Sequence, residues 1–154
     1  MKTEANEGKA FLARFIPLFF LPFALIHLID LTAVAQAVAT AEQTLLNSLG
    51  YQTALQGTLL SVDGTAFKIA ADCTGLVSII MLSALLWSTP LKEEKRLRTL
   101  AIFAPFLLAF NILRLLLTLT TGTVFGPIAL EIIHALLWFV DAGVVLFIWA
   151  NASK

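Results

Sequence analysis

Apolar positions fill four long stretches of this chain, about 11–38, 70–87, 99–118 and 128–149, each bounded by charge, proline or turn residues. A bilayer core is crossed by ~20 consecutive apolar residues in a helix, so the pattern predicts four transmembrane helices. The first stretch exceeds one crossing and contains Pro17, Pro22, His27 and Asp30. Ala33-Val34-Ala35 imitates a signal-peptidase site, but the length and polar content of the stretch fit a retained helix better. Pro127 suits the first position of the fourth helix.

Between the first and second stretches lies the one sizeable polar interval, 39–68. Within 42–55, Leu45, Leu46 and Leu49 fall at helical spacing among Gln, Thr and Asn, which predicts a short helix lying at the membrane surface. Residues 58–62 and 65–69 flank Asp63-Gly64, a pair that supplies the positive φ angles of a tight turn, so a β-hairpin is expected. The predicted fold is therefore an all-α membrane protein in a single domain, 1–154. It has four transmembrane helices, with an extracytoplasmic interfacial helix and β-hairpin between the first two.

Composition agrees with this reading. Hydrophobic residues make up 59% of the chain and charged residues 13%, and mean hydropathy is +0.91. A soluble domain of this length could not hide so much apolar surface. The zero net charge argues against a basic nucleic-acid binder. Lys and Arg gather at the N-terminus, in the loop 91–98 and at Lys154. Cytoplasmic loops hold positive charge, so both termini are expected in the cytoplasm of this multi-pass cell-membrane protein, with the hairpin and the turn at 120–126 outside.

Depth then becomes the informative variable. Cys73, the only cysteine, begins the second span at the outer face. Arg114 lies near the outer end of the third, and His134 lies two turns into the fourth from that face. At 1.5 Å per residue their depths are about 5, 6 and 10 Å, which places a thiol, a guanidinium and an imidazole in one layer. Ionisable groups inside a bilayer are costly and are by default functional candidates. Asp72 is read as the N-cap of the second span, with Cys73 in its first turn, where the helix dipole favours a thiolate. Cys73 is then the nucleophile and His134 the proton shuttle, while the permanently charged Arg114 stabilises the thiolate or an oxyanion. Asn111, one turn before Arg114, either holds the guanidinium or donates to the oxyanion.

Each group also has a plain structural reading. Cys73 fits a small buried hydrophobe, Arg114 a side chain snorkelling to headgroups, and His134 a core histidine. Glu131 fits a solvated first-turn carboxylate better than an orienter of His134. Asp141 is expected to pair with another polar group, with span one as a candidate source. His27 and Asp30 share a face and are expected to support the site structurally. No metal or other cofactor is expected, because no second ligand pair with metal spacing occurs. The small residues Ala70, Ala71, Gly75 and Ser78 suggest a face of span two that a substrate helix could approach closely.

Cys73-Thr74-Gly75, then Asn111-Ile112-Leu113-Arg114, then His134, in this order on successive spans, resembles the exosortase and archaeosortase family of membrane transpeptidases over about 57–149. The resemblance implies catalytic roles for Cys73, Arg114 and His134, in the version of the motif with His rather than a second Arg. Asn111, Asp72, Thr74 and Gly75 would support them. The chain is shorter than many members and looks close to a minimal catalytic core. The implied substrates are surface-protein precursors ending in a recognition motif, a transmembrane helix and a basic tail. Cys73 would cleave them through an acyl thioester, and the acceptor would be an amine, with a lipid amine among the candidates, or water. The competing functions are a small polytopic transporter and a structural membrane subunit. A transporter would distribute polar residues through the whole depth of the helices, whereas here they concentrate in one half.

Overall fold

A computed structural model describes residues 2–154, in the order α1 (Lys2–Leu28), α2 (Thr32–Ser48), β1 (Thr53–Gln56), β2 (Leu59–Val62), β3 (Thr65–Lys68), a 3-10 turn (Ala71–Thr74), α3 (Leu76–Ser88), α4 (Glu93–Phe125) and α5 (Pro127–Ala152). Asn6–Leu28, α4 and α5 are long and apolar enough to cross a membrane. Their outward surfaces carry Phe20, Leu21, Ile132, Leu136, Phe139 and Phe147 in exposed positions. Apolar surface this extensive belongs against lipid, and the chain is a multi-pass membrane protein.

Two expectations about the first half are corrected. The stretch 11–38 is not one helix: α1 ends at Leu28, and α2 begins at Thr32. The Asp30 carboxylate accepts the Thr32 amide at 2.9 Å, a side-chain-to-backbone bond that competes with continued helix and starts a new one. The same bond holds the Asp30 carboxyl below the ordinary carboxylate range. The short helix expected within 42–55 is therefore the longer α2, which buries Ala35, Ala39, Glu42 and Leu46 on one face and leaves Leu45 and Leu49 exposed. Its Ala-rich first half reads as apolar span in the sequence, although its buried stripe is made largely of small residues.

The hairpin is present and belongs to a three-stranded antiparallel sheet in the order β1-β2-β3. Its turn has Asp63 at φ 46° and Gly64 at φ 85°, the left-handed pair that a two-residue hairpin requires. β1 joins because Asp63 also holds the start of that strand. The Asp63 carboxylate accepts the Gln52 amide, and the Asp63 amide donates to the Gln52 carbonyl, both at 2.8 Å.

The second predicted span is also shorter than expected. α3 has 13 residues, about 20 Å of helix, against the ~30 Å of a hydrocarbon core. Among the described residues, three helices rather than four meet the length requirement.

Two apolar cores divide the molecule. At the sheet end, Ala35, Ala39 and Leu46 of α2 pack on Leu60, Val62, Ile69, Leu115 and Leu119. At the other end, Leu82, Leu85 and Leu86 of α3 meet Leu107, Val145 and Ile148, with Phe11 and Phe15 of α1 against them. The polar layer lies between these cores.

Candidate active site

Cys73 sits on the strap that joins β3 to α3. The strap folds as a 3-10 turn, with the Cys73 amide donating to the Ala70 carbonyl at 3.0 Å and the Thr74 hydroxyl donating to the Ala71 carbonyl at 2.6 Å. Gly75 follows at φ 80° and is itself the residue that caps α3. The expectation that Asp72 caps this helix is thus corrected: Cys73 precedes the α-helix by a short turn. Asp72 instead reaches sideways to α1, where its carboxylate lies 2.9 Å from His27 Nε2. His27 Nδ1 is 2.8 Å from the Phe23 carbonyl, which fixes the ring.

Asn111 of α4 anchors the strap from below. Its Nδ2 donates to the Cys73 carbonyl at 2.7 Å, and its Oδ1 accepts from Arg114 Nη2 at 2.9 Å. Gly75 is required at this approach twice over. A Cβ there would lie 2.9 Å from Asn111 Cβ, and the backbone is left-handed.

Arg114 is buried, so it does not snorkel. Besides Asn111, its guanidinium has the Asp141 carboxylate 3.9 Å from Nη1 and the Trp138 ring 5.7 Å away. Asp141 in turn accepts a short hydrogen bond from the Ser78 hydroxyl. Asp141 is therefore paired as expected, but its partners come from α3 and α4 rather than from span one. Of the small residues of span two, Ser78 and Gly75 are engaged inside the protein, against Asp141 and Asn111, whereas Ala70 is exposed and Ala71 half-buried.

His134 of α5 is half-buried and shares a cavity of about 310 Å³ with Cys73. The rest of its wall is Ala66–Ile69, Leu115, Thr118, Leu119 and Leu130. α4 continues to Phe125, so the turn expected at 120–126 is helix up to Gly126, and its end closes on this wall through Gly122, where a Cβ would fall 2.4 Å from Leu130 and 3.1 Å from Phe67. Arg114 reaches the strap from the other direction, through Asn111. Glu131 is exposed, which agrees with a solvated carboxylate.

A family model described as transmembrane exosortase (Exosortase_EpsH) matches residues 8–150. The chain belongs to that family. No curated protein and no solved structure matches it. The matched region reaches back through α1, so the helix supplying His27 lies within the exosortase region as well.

Several residues at this site are silent in the sequence. Trp138 and Ser78 look like ordinary helix residues until their distance from Arg114 and Asp141 is known. Glu42 is fully buried, with neither carboxylate oxygen hydrogen-bonded among the described residues. Burial pushes its carboxyl up to about 8. A Glu on an Ala-rich helix face was the available signal.

Proposed function

We propose that this exosortase is a membrane cysteine transpeptidase, with Cys73 as nucleophile, His134 as proton shuttle and Arg114 as the fixed cation. The observation that carries this reading is the cavity shared by the lone thiol and His134, on a strap tied through Asn111 to a buried arginine. Its substrates are surface-protein precursors with a C-terminal recognition motif, a transmembrane helix and a basic tail. The site faces the outside, and both termini are cytoplasmic, as the distribution of Lys and Arg supports.

In the first half-reaction the Cys73 thiol gives its proton to His134, Sγ bonds to the scissile carbonyl carbon as the C=O π bond opens, and the negative charge of the tetrahedral intermediate collects on the former carbonyl oxygen. Arg114 supplies compensating positive charge across the strap. The C–N bond then breaks, His134 gives its proton to the departing amine, and an acyl thioester remains. In the second half-reaction His134 takes a proton from an incoming amine, which displaces the thiolate. A lipid amine is one such acceptor, and water in its place makes the reaction hydrolysis.

Gly75, Thr74 and Asn111 shape the strap rather than reacting. Asp72 links it to α1. A transporter reading is less well supported, because Arg114, Asp141, Ser78 and Asn111 satisfy one another across the bundle rather than lining an open path.

The deciding experiment is co-expression with a precursor of the stated class. Wild type is expected to remove its C-terminal helix, Cys73→Ala to leave it intact, and a covalent adduct to be trapped on Cys73. Processing that persists in Cys73→Ala would discard the proposal.

A further inference from the structure

The thiol cavity has a wall that the catalytic reading leaves unused. Four consecutive residues, Ala66, Phe67, Lys68 and Ile69, line it. Successive side chains of a strand point to opposite faces, so a cavity lying on one face of β3 would touch alternate residues only. Contact with three successive residues of β3, continued by Ile69 just past its end, means that the cavity runs along the strand's edge.

That edge is free among the described residues: β3 is the outermost strand of the sheet and pairs there with β2 alone. The register sets Leu60 against Phe67 and Val62 against Thr65, and the Ile69 amide donates to the Thr58 carbonyl at 2.9 Å. In an antiparallel ladder, hydrogen-bonded pairs alternate with pairs that face away. Counting from Ile69, the backbone groups of Phe67 and Thr65 point to β2. Those of Ala66 and Lys68 point outward, along the cavity, and both residues are exposed. Each offers one N–H and one C=O. Five residues beyond Lys68 is Cys73.

We infer that the substrate segment just before the scissile bond binds in extended form as a fourth strand, parallel to β3, hydrogen-bonded to the backbone of Ala66 and Lys68. The inference rests on the transpeptidase reading and adds to it the way the substrate is held. The direction follows from where the chain must go. A precursor arrives from the sheet end and continues past Cys73 into its own membrane helix, and β3 itself runs from the sheet toward Cys73. Parallel pairing uses both the N–H and the C=O of alternate residues, which is what Ala66 and Lys68 present. Addition of a strand to an exposed edge gives affinity through main-chain bonds and leaves selectivity to the pockets that flank it. Here those are bounded by Phe67, Leu119 and Leu130 on the cavity side.

The test uses full-length Cys73→Ala protein in lipid nanodiscs and a membrane-anchored precursor with a C-terminal apolar helix and basic tail. Amide hydrogen exchange is read at single residues with and without the precursor. The Ala66 and Lys68 amides are expected to exchange at least about tenfold more slowly when the precursor is bound, while Phe67, already paired, changes little. In cleavage assays with the Cys73 protein, Ala66→Pro removes one outward N–H and is expected to raise KM about five- to tenfold with a smaller change in kcat. Ester-for-amide replacement in the precursor should weaken cleavage at alternate positions only. Cys73-dependent cleavage with exchange at Ala66 and Lys68 unaltered by bound precursor overturns the strand pairing and leaves the transpeptidase reading standing. No Cys73-dependent cleavage of any precursor overturns both.

Discussion

Asn111 holds the Cys73 carbonyl with one end of its amide and the Arg114 guanidinium with the other, at 2.7 and 2.9 Å. A single side chain thereby couples the strap that carries the thiol to the cation. Asn111→Asp keeps the acceptor for Arg114 but loses the donor to Cys73 and turns a carboxylate oxygen toward a carbonyl. Processing is expected to fall by about 10²-fold, the scale on which a displaced catalytic geometry costs rate. Asn111→Ala should fall at least as far. Precursor cleavage at matched protein levels checks both, and near-wild-type rates would remove the clamp from the mechanism.

Gly75→Ala is expected to damage the same contact from the strap side. A left-handed conformation costs a residue with a Cβ about 1–2 kcal/mol, and the new carbon would also overlap Asn111. Lower thermal stability in detergent is expected together with lost processing. Gly64, in the left-handed Asp63-Gly64 turn with open space around it, is the control: Gly64→Ala should show the backbone cost alone.

The two ion pairs of the site are expected to behave differently. The side chains of Arg114 and Asp141 are 4% and 10% exposed, whereas those of His27 and Asp72 are 41% and 46% exposed. Removing one member of a buried pair leaves a stranded charge and costs about 3–5 kcal/mol. An exposed pair contributes little, because solvent screens it. Asp141→Ala should therefore reduce the folded fraction sharply, with Asp141→Asn milder because it still accepts from Ser78. His27→Ala should leave folding nearly intact. Melting temperatures of the three variants in one detergent provide the comparison, and equal losses would contradict it.

Glu42 links stability to pH. Its carboxyl titrates at about 8 in the folded protein, against an ordinary 4.5. Between those values the folded state holds a proton that the unfolded chain has released, so stability falls as pH rises through this window and levels off above it. At ~1.4 kcal/mol per pH unit, the full change is on the order of 5 kcal/mol. Burial is the cause of the shift. Of the elements packed on α2, the strap turn carries Asp72 and Cys73 and α4 carries Arg114, while β1 and β2 carry no ionisable side chain. Glu42→Gln preserves shape without the charge, and its melting temperature should vary less between pH 5 and pH 8.5 than that of wild type. Parallel pH profiles for the two proteins would refute the assignment.

The sequence shows the long apolar helices, the Asp-Gly hairpin and the order of Cys73, Arg114 and His134, because periodicity, turn chemistry and loop charge are local. It also points to Asn111 as a holder of Arg114, since residues three apart on a helix meet. The end of α1 is less legible. One side-chain bond from Asp30 to Thr32 decides it, and Ala-rich α2 resembles continued span. The cap of α3 is misread because Asp72 has a competing partner, His27, on a helix distant in sequence. Ser78 with Asp141, and Trp138 with Arg114, depend on helix rotation, which spacing along one helix cannot fix.

The counter-charge for Arg114 is supplied by α5, a helix that leaves the ribosome after α4. Until α5 has been inserted beside α4, the guanidinium has no carboxylate opposite it, and the imidazole that faces the thiol is missing too. The chain therefore brings thiol, imidazole and paired cation together only once α5 has been inserted. A product truncated before α5 would carry Cys73 without His134 and an uncompensated buried cation, a combination suited to removal by membrane quality control.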